Sequence, residues 1–241
     1  MEGLRIKRED APSIPYTGSV VICTPFYENR AWTPYNDSWN ATVKMFEHFN
    51  IKYDKWSIAG DSYIDRARNS FCARFEESDY TDLIMIDSDM QWTPDCIIKL
   101  LLCKAPLCGG DYPLKNNWEQ YGSRFITNSG EPIPVDEDGN IMCETIPSGF
   151  MRIRKPVLTA LKYSGLGTNY IDESASYKGL THTWFERKAP YGEDVYFCKK
   201  YASISNPGDI VVIPDMTLTH WGFKGWTGNL HQHLISQASV K

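Results

Sequence analysis

The chain has 241 residues, of which 42% are hydrophobic and 13% aromatic, and its formal net charge is −5. This length and composition suit one large domain or two small ones with an apolar core. The acidic balance argues against broad electrostatic capture of nucleic acid or anionic membranes, and no apolar run reaches the ~20 residues needed to cross a bilayer. Residues 1–10 lack the apolar core of a signal peptide, so we expect a soluble, cytoplasmic protein.

The number and spacing of the cysteines argue against a zinc ribbon and against a disulfide framework. There are seven of them, an odd count, and no two are spaced as CxxC. We therefore expect most of them to pack as small buried apolar groups.

The first half of the chain alternates predicted strands and helices. Short apolar runs indicate strands buried on both faces, and helically spaced apolar residues indicate amphipathic helices. Asp37 or Ser38 is predicted to cap the first helix and Asp61 or Ser62 the second, while Pro94 opens the third. The strands are predicted at residues 19–24, 51–58, 81–86 and 106–110, and the helices at 37–49, 61–77 and 94–103. This alternation predicts a parallel sheet with right-handed crossovers.

The second half has a different character. The predicted elements are a hairpin over 122–128 and 140–146, a strand at 150–153, a helix at 155–163, a loop-rich aromatic region at 165–188, a helix at 191–201 and a strand at 210–213. We therefore predict one α/β domain with a mostly parallel central sheet, helices on both faces and an antiparallel extension in the second half. The predicted boundaries are an N-terminal arm at 1–17, the domain at 18–228 and a C-terminal tail at 229–241.

Two carboxylates follow the third predicted strand directly. Asp87 and Asp89 are two residues apart on an extended chain, so their side chains can point the same way. Ligands of open α/β sheets bind at the carboxyl ends of such strands, and hard oxygen ligands suit Mg²⁺ or Mn²⁺. The alternative is a turn former or a helix cap. Strand-tip position favours metal or nucleotide binding.

Another pair of acids, Glu193 and Asp194, opens a predicted helix. Acids there complement the helix dipole, which is a sufficient structural explanation. The functional alternative makes Asp194 a general base, with Glu193 orienting an acceptor or supporting the site.

Further candidates are basic or imidazole side chains. His220 follows the last predicted strand and could complete a cation's ligands, although a single histidine there is more often structural. Lys224 could neutralise a phosphate. Arg66 and Arg68 could recognise a diphosphate at a helix N-terminus, or could lie on a solvated face paired with nearby acids.

These clusters occur in an order that resembles GT-A glycosyltransferases. The matching segments are VVICTPFY at 20–27, GDSYIDRARN at 60–69, LIMIDSDM at 83–90, IPSGFMRIRKPVL at 146–158, GEDVYF at 192–197 and LTHWG at 218–222. Each segment is short, and the ordered set, which covers most of residues 19–226, is more specific. Residues 18–115 are then expected to form the nucleotide-binding half and residues 116–228 the acceptor-binding half.

The resemblance implies a role for each candidate. In the DxD motif, Asp89 would bind Mn²⁺ or Mg²⁺ directly and Asp87 the ribose or the metal, with His220 as a late metal ligand. Asp194 matches the position that often supplies the base in inverting members, with Glu193 beside it. The remaining donor-site residues are expected to be Thr24, Pro25, Tyr27, Asp61, Arg66, Arg68, Ser88 and Lys224.

The implied reaction moves a sugar from a UDP- or GDP-linked donor to a hydroxyl acceptor. The acceptor stays open among a glycan, a protein, a lipid-linked sugar and modified DNA. Trp184, Trp221 and Trp226 are candidates for sugar stacking, although core packing is the better explanation for any single one of them. A compact chain of this kind suits bacterial surface-glycan assembly or a virus that brings its own transferase into the host cytoplasm. The alternatives are a nucleotidyltransferase and a non-catalytic carbohydrate-binding protein. TPFYENRAW at residues 24–32 lacks a Gly-rich basic loop, which counts against the first.

Overall fold

The structure is a computed structural model that describes residues 14–26, 30–127, 132–174 and 177–239. The elements in chain order are β1 (Ser19–Phe26), α1 (Thr33–His48), β2 (Lys52–Ala59), α2 (Ile64–Glu77), β3 (Asp82–Ile86), β4 (Met90–Gln91), α3 (Pro94–Leu102), β5 (Leu107–Gly109), β6 (Arg124–Phe125), β7 (Ile141–Thr145), β8 (Phe150–Arg154), α4 (Lys155–Tyr163), β9 (Asn169–Asp172), β10 (Gly179–His182), α5 (Glu193–Ala202), β11 (Ile210–Val212), β12 (Thr217–Trp221), β13 (Gly225–Asn229) and α6 (Leu230–Ala238).

An eight-stranded sheet in the order β2-β1-β3-β8-β5-β11-β7-β6 forms the centre of the molecule. Strands β2, β1, β3, β5, β11 and β6 run one way, and β8 and β7 run the other. The predicted, mostly parallel α/β sheet is therefore confirmed. The antiparallel strands lie partly elsewhere than expected, because β8 is inserted between β3 and β5 rather than added at an edge.

Alternation along the buried strands divides the core into two layers. Val21 and Leu83 face a layer built with α2, α4 and α5, whereas Val20 and Ile84 face a layer built with α1 and α3. Successive side chains of a strand point to opposite faces, so one unbroken apolar run supplies both layers. The prediction of helices on both faces is confirmed.

The helix starts differ from those predicted. Helix α1 begins at Thr33 with a proline in its first turn, and Ser38 is buried inside it, where its Oγ accepts the Trp92 amide at 3.1 Å. Helix α2 begins at Ile64 after Tyr63, without a side-chain cap. The prediction for the two caps was wrong because a proline preset the first turn of α1 and because Asp61 is engaged by an arginine, described below.

Two smaller sheets were not predicted from the sequence. Strands β9 and β10 pair within the region expected to be loop-rich, and β4, β12 and β13 form a three-stranded antiparallel sheet. His220 lies inside β12 rather than after a strand, opposite Met90 of β4. The predicted tail contains α6, whose Leu230 is buried in the core.

Two remaining expectations concern the cysteines and the membrane. All seven cysteines are buried and unpaired, as predicted. Within the described part of the chain, the helices are too short or too polar to cross a bilayer.

Candidate functional site

A cavity of about 220 Å³ opens where the parallel strands β1, β2 and β3 end. These strands are neighbours in the sheet, so their carboxyl ends meet at one edge. The lining residues are Pro25, Phe26, Ile58, Asp61, Ser62, Ile64, Asp87, Ser88 and Asp89. The predicted strand-tip acids therefore border a cavity whose lining also includes apolar side chains.

Asp89 has two basic neighbours at this edge of the sheet. Its Oδ2 accepts Lys115 Nζ at 2.6 Å and lies 3.5 Å from His220 Nε2. Burial by itself raises the pKa of Asp89, but the hydrogen bonds from His220 and Lys115 outweigh it and hold that pKa below its ordinary value. Asp89 thus stays ionised and attracts cations.

His220 turns its Nε2 toward that carboxylate. Its Nδ1 lies 3.2 Å from the Pro113 carbonyl oxygen, which can only accept, so Nδ1–H is the donor in that contact. Nε2 is therefore the ring nitrogen that a metal ion bound at Asp89 would contact. Adjacent ligands of an octahedral cation are about 3 Å apart, close to the separation of 3.5 Å seen here.

Asp87 turns to a different partner. Its carboxylate lies 3.0 Å from Arg68 Nη2, and Arg68 Nε lies 3.7 Å from Glu193 Oε1. Within the described ranges, no three His, Cys, Asp or Glu side chains gather as a metal-binding group. The predicted set of Asp87, Asp89 and His220 is thus not assembled here, because the buried guanidinium of Arg68 holds Asp87 while Lys115 and His220 hold Asp89.

Arg68 instead joins two of the sequence clusters. It is only 2% exposed and links the end of β3 to the first turn of α5. Burial raises the pKa of Glu193, an effect that Arg68 opposes and the neighbouring Asp194 reinforces. Asp194 itself is half-buried, and its Oδ1 accepts the Val195 amide at 2.7 Å.

Tyr112 and Gly149 pack beside Asp87 and were not singled out in the sequence. The Tyr112 hydroxyl accepts the Gly149 amide at 3.1 Å, and the Tyr112 ring packs edge-on against His220 at 5.0 Å. A β-carbon on Gly149 would collide with the Tyr112 hydroxyl and lie 2.9 Å from Asp87 Oδ2. Only glycine fits at position 149, because Tyr112 and Asp87 both lie so close to it. The Gly149 backbone and the Tyr112 ring therefore limit where the Asp87 side chain can lie.

The other predicted donor-site residues are dispersed. Pro25 and Ser88 line the cavity. Thr24 is fully buried and shares a 2.5 Å hydrogen bond with Tyr35, which removes its side chain from the cavity surface. Tyr27 lies outside the described residues.

The two remaining basic candidates also have other partners than expected. Arg66 Nε and Nη2 donate hydrogen bonds to both carboxylate oxygens of Asp61, at 2.8 and 2.7 Å. Arg66 is therefore paired with an acid and does not present its guanidinium to a diphosphate. Burial raises the pKa of Asp61, but Arg66 and the Tyr63 amide reverse this and lower it. Lys224 is exposed in the β12–β13 turn, 5.1 Å from the ring of Trp226.

The tryptophans predicted as sugar-stacking candidates differ in their surroundings. Trp184 is 1% exposed and donates to the Leu158 carbonyl, so it packs in the core, which is the alternative that the sequence favoured for any single tryptophan. Trp221 stacks on Trp32 at 6.5 Å. Their amides donate to the carbonyls of Asp89 and Ser88, at 2.8 and 3.2 Å respectively, so this aromatic pair is tied directly to the DxD segment.

Lys115 and Tyr112 were not predicted as site residues, although their position after a strand indicates such a role. They follow the end of β5, which runs parallel to β3 in the same sheet. The strand-end argument used for Asp87 applies to them equally. Gly149 carried no comparable signal, because its importance depends on a close approach between distant segments.

The architecture is similar to that of solved structures. The crystal structure of GalNAc-T7 with UDP, GalNAc and Mn²⁺ superposes with a TM-score of 0.53 at 11% identity, covering 84% of this chain and 44% of that one. The chain has the GT-A glycosyltransferase fold. It spans less than half the length of the GalNAc-T7 chain.

A further similar structure is a glycosyltransferase involved in the glycosylation of the major capsid of PBCV-1, at a TM-score of 0.40 and 9% identity, with 81% of each chain covered. No protein-family model and no curated protein matches the sequence.

Proposed function

We propose that this GT-A chain transfers a sugar from a nucleoside-diphosphate sugar to a hydroxyl acceptor with the help of a divalent cation. One observation carries the proposal. Asp89 Oδ2 and His220 Nε2 lie 3.5 Å apart beside a cavity at the carboxyl edge of β1, β2 and β3. That edge is where an open α/β sheet binds nucleotides.

The donor set fits Mn²⁺ or Mg²⁺. The carboxylate oxygen suits either ion, the imidazole nitrogen favours Mn²⁺ over Mg²⁺, and diphosphate oxygens and water would complete an octahedron. When bound, the cation would stabilise the negative charge of the departing diphosphate. Asp87 lies next to this pair but is held by Arg68, so we assign it to the donor ribose.

The apolar part of the cavity suits the donor base. Pro25, Ile58 and Ile64 supply flat apolar contact, and Asp61 adds an ionised acceptor for a ring N–H. Because Arg66 holds Asp61 in a bidentate pair, that acceptor is fixed in direction before the nucleotide arrives. This arrangement favours a base with an N–H donor, as in uracil or guanine.

Asp194 is our candidate for the base if the reaction inverts the anomeric carbon. It would take the acceptor hydroxyl proton as the acceptor oxygen bonds to that carbon and the bond to the diphosphate breaks. Glu193 is tied to Arg68 and so would keep the first turn of α5 in place. In a retaining reaction, Asp194 would orient the substrate instead.

Exposed aromatic rings around the site suit a sugar acceptor. Phe223 is 89% exposed, Trp118 is 68% exposed and Trp32 is 43% exposed. The loop that carries Trp118 joins the β12–β13 hairpin through the Trp226 indole, which donates to the Asn116 carbonyl at 2.7 Å. Broad apolar faces near a polar site are typical of sugar-binding surfaces.

Product analysis tests the proposal. The protein is incubated with Mn²⁺, a panel of UDP- and GDP-linked sugars and candidate acceptors, and nucleoside diphosphate and pyrophosphate are both measured. We expect nucleoside diphosphate, with Asp89→Ala and His220→Ala each at least about 100-fold slower.

The matched control is Asp95→Ala, which removes an exposed acid paired with Lys99 on α3 and should keep full activity. Pyrophosphate as the product would instead indicate a nucleotidyltransferase. Full activity of Asp89→Ala in the presence of a chelator would refute the metal site.

A further inference from the structure

Lys115 occupies the place at Asp89 where a cation is expected. Its Nζ and His220 Nε2 contact the same oxygen, Asp89 Oδ2, at 2.6 and 3.5 Å. The Lys115 side chain is 35% exposed, so it is neither buried in the core nor free in solvent. An ammonium ion therefore already satisfies the carboxylate that the proposed metal would use.

The backbone around Lys115 is fixed, whereas its side chain can move. The amide of Leu114 donates to the Gln120 carbonyl at 2.8 Å, and the Asn116 amide donates to the Leu114 carbonyl at 2.7 Å. Lys115 Cδ passes 3.3 Å from the point where a Gly222 β-carbon would lie, so the stem crosses the loop between β12 and β13. A flexible four-carbon stem on a fixed backbone lets the ammonium move several ångströms without other rearrangement.

A divalent cation and this ammonium compete for one oxygen. Two positive groups in contact with the same carboxylate oxygen repel each other strongly in a partly desolvated site. A metal ion bound to this oxygen and to His220 Nε2 would therefore displace Lys115 from Asp89. The nearest new anion is the donor diphosphate, which the same metal would hold beside Asp89.

We propose that Lys115 exchanges counter-ions during donor binding. Without metal, it neutralises Asp89; once metal and donor are bound, it neutralises the diphosphate. The inference rests on the proposed function, because it requires a cation at Asp89 and His220. Lys115 thus disfavours the metal alone and favours the metal together with a diphosphate, so the two ligands bind cooperatively.

The two roles predict opposite effects of one substitution. In Lys115→Met, Mn²⁺ alone should bind about 2- to 5-fold more tightly, because no ammonium competes for Asp89. With saturating Mn²⁺, the same variant should bind UDP or GDP about tenfold more weakly, because the diphosphate has lost a charged partner. Lys115→Arg keeps a cation and should restore most of the nucleotide affinity.

Calorimetry with Mn²⁺ alone, and with UDP and GDP at saturating Mn²⁺, gives both numbers without an activity assay. Lys104→Met removes another ion-paired lysine, 66% exposed and bonded to Glu137, and should change neither affinity. Lys115→Gln repeats the test if the methionine variant folds poorly.

The outcomes separate the two hypotheses. If the wild-type protein binds Mn²⁺ and nucleotide but Lys115→Met changes neither affinity, or changes both in one direction, counter-ion exchange is refuted and the proposed function stands. If the wild-type protein binds no Mn²⁺ with or without nucleotide, the metal-dependent function is refuted, and the inference with it.

Discussion

Replacing Arg68 by methionine should destabilise the protein severely, because two acids lose their shared counter-ion. Arg68 is 2% exposed and bridges Asp87 and Glu193, whose side chains are 29% and 14% exposed. Removing one member of a buried ion pair costs about 3–5 kcal/mol, since the remaining charge stays buried without compensation. For a chain of this length, that corresponds to a fall in Tm of about 6–20 °C.

The loss should depend on pH in a defined direction. The pKa of Glu193 is already raised by burial, with Arg68 opposing the rise, so it increases further in the variant. A carboxyl group whose pKa is raised on folding penalises the folded state when ionised, and the penalty disappears as pH falls through the folded pKa. The difference in unfolding free energy between wild type and variant should therefore be larger at pH 7.5 than at pH 5.

Denaturant unfolding at both pH values measures this difference. Lys104→Met, which removes an exposed lysine of an ion pair, is the control. Adding Glu193→Gln to Arg68→Met should recover part of the loss, because one of the two stranded charges is then gone. The reasoning fails if Arg68→Met loses no more stability than the control, or if its loss grows as pH falls.

Three further predictions concern single positions around the site. Gly149→Ala should cost about 1–3 kcal/mol, measured by denaturant unfolding, because its β-carbon collides with Tyr112; an unchanged midpoint would contradict that geometry. Because the pKa of Asp89 is lowered in the folded protein, its carboxylate stabilises the fold at pH values above its ordinary pKa of 3.8, and this stabilisation is lost as the pH falls below that value. Asp89→Asn should therefore make Tm depend less on pH in the acid range. An unchanged pH dependence would contradict the ion pair. Phe223→Ala should leave Tm unchanged because the ring is 89% exposed, yet raise the acceptor KM about 2- to 10-fold with kcat retained; an unchanged KM would remove Phe223 from the acceptor surface.

The positions of the central strands were predictable from local patterns, although their order in the sheet was not. Runs such as residues 83–86 are apolar at every position, which is the pattern of a strand covered on both faces. The hairpin of β12 and β13 was not readable, because its residues are polar, aromatic and glycine-rich and lack alternation. Helix α1 was placed too late, because proline near its start was a stronger signal than the acid chosen as its cap.

Within the candidate site, the sequence indicated the acids but not their partners. Asp87 and Asp89 follow from strand ends alone, whereas Lys115 and Arg68 were assigned no contact with them. Side chains two apart on a strand can share a ligand, yet here each carboxylate meets a different cation. The basic partner of each acid comes from a chain segment about 20 to 26 residues away. The spacing of apolar residues within a few positions of the acid does not specify that partner.

The amino-acid sequence by itself determined where strands end in carboxylates and which residues alternate between the two core layers, because both depend on spacing within a few residues. Only the tertiary structure decided that His220 lies against Asp89, because that contact depends on the pairing of β12 with β4, more than 100 residues apart along the chain. It also decided that Lys115 reaches the same oxygen and that Gly149 admits Tyr112 beside Asp87. Such contacts are set by strand register and close backbone approach, which are properties of the assembled sheet.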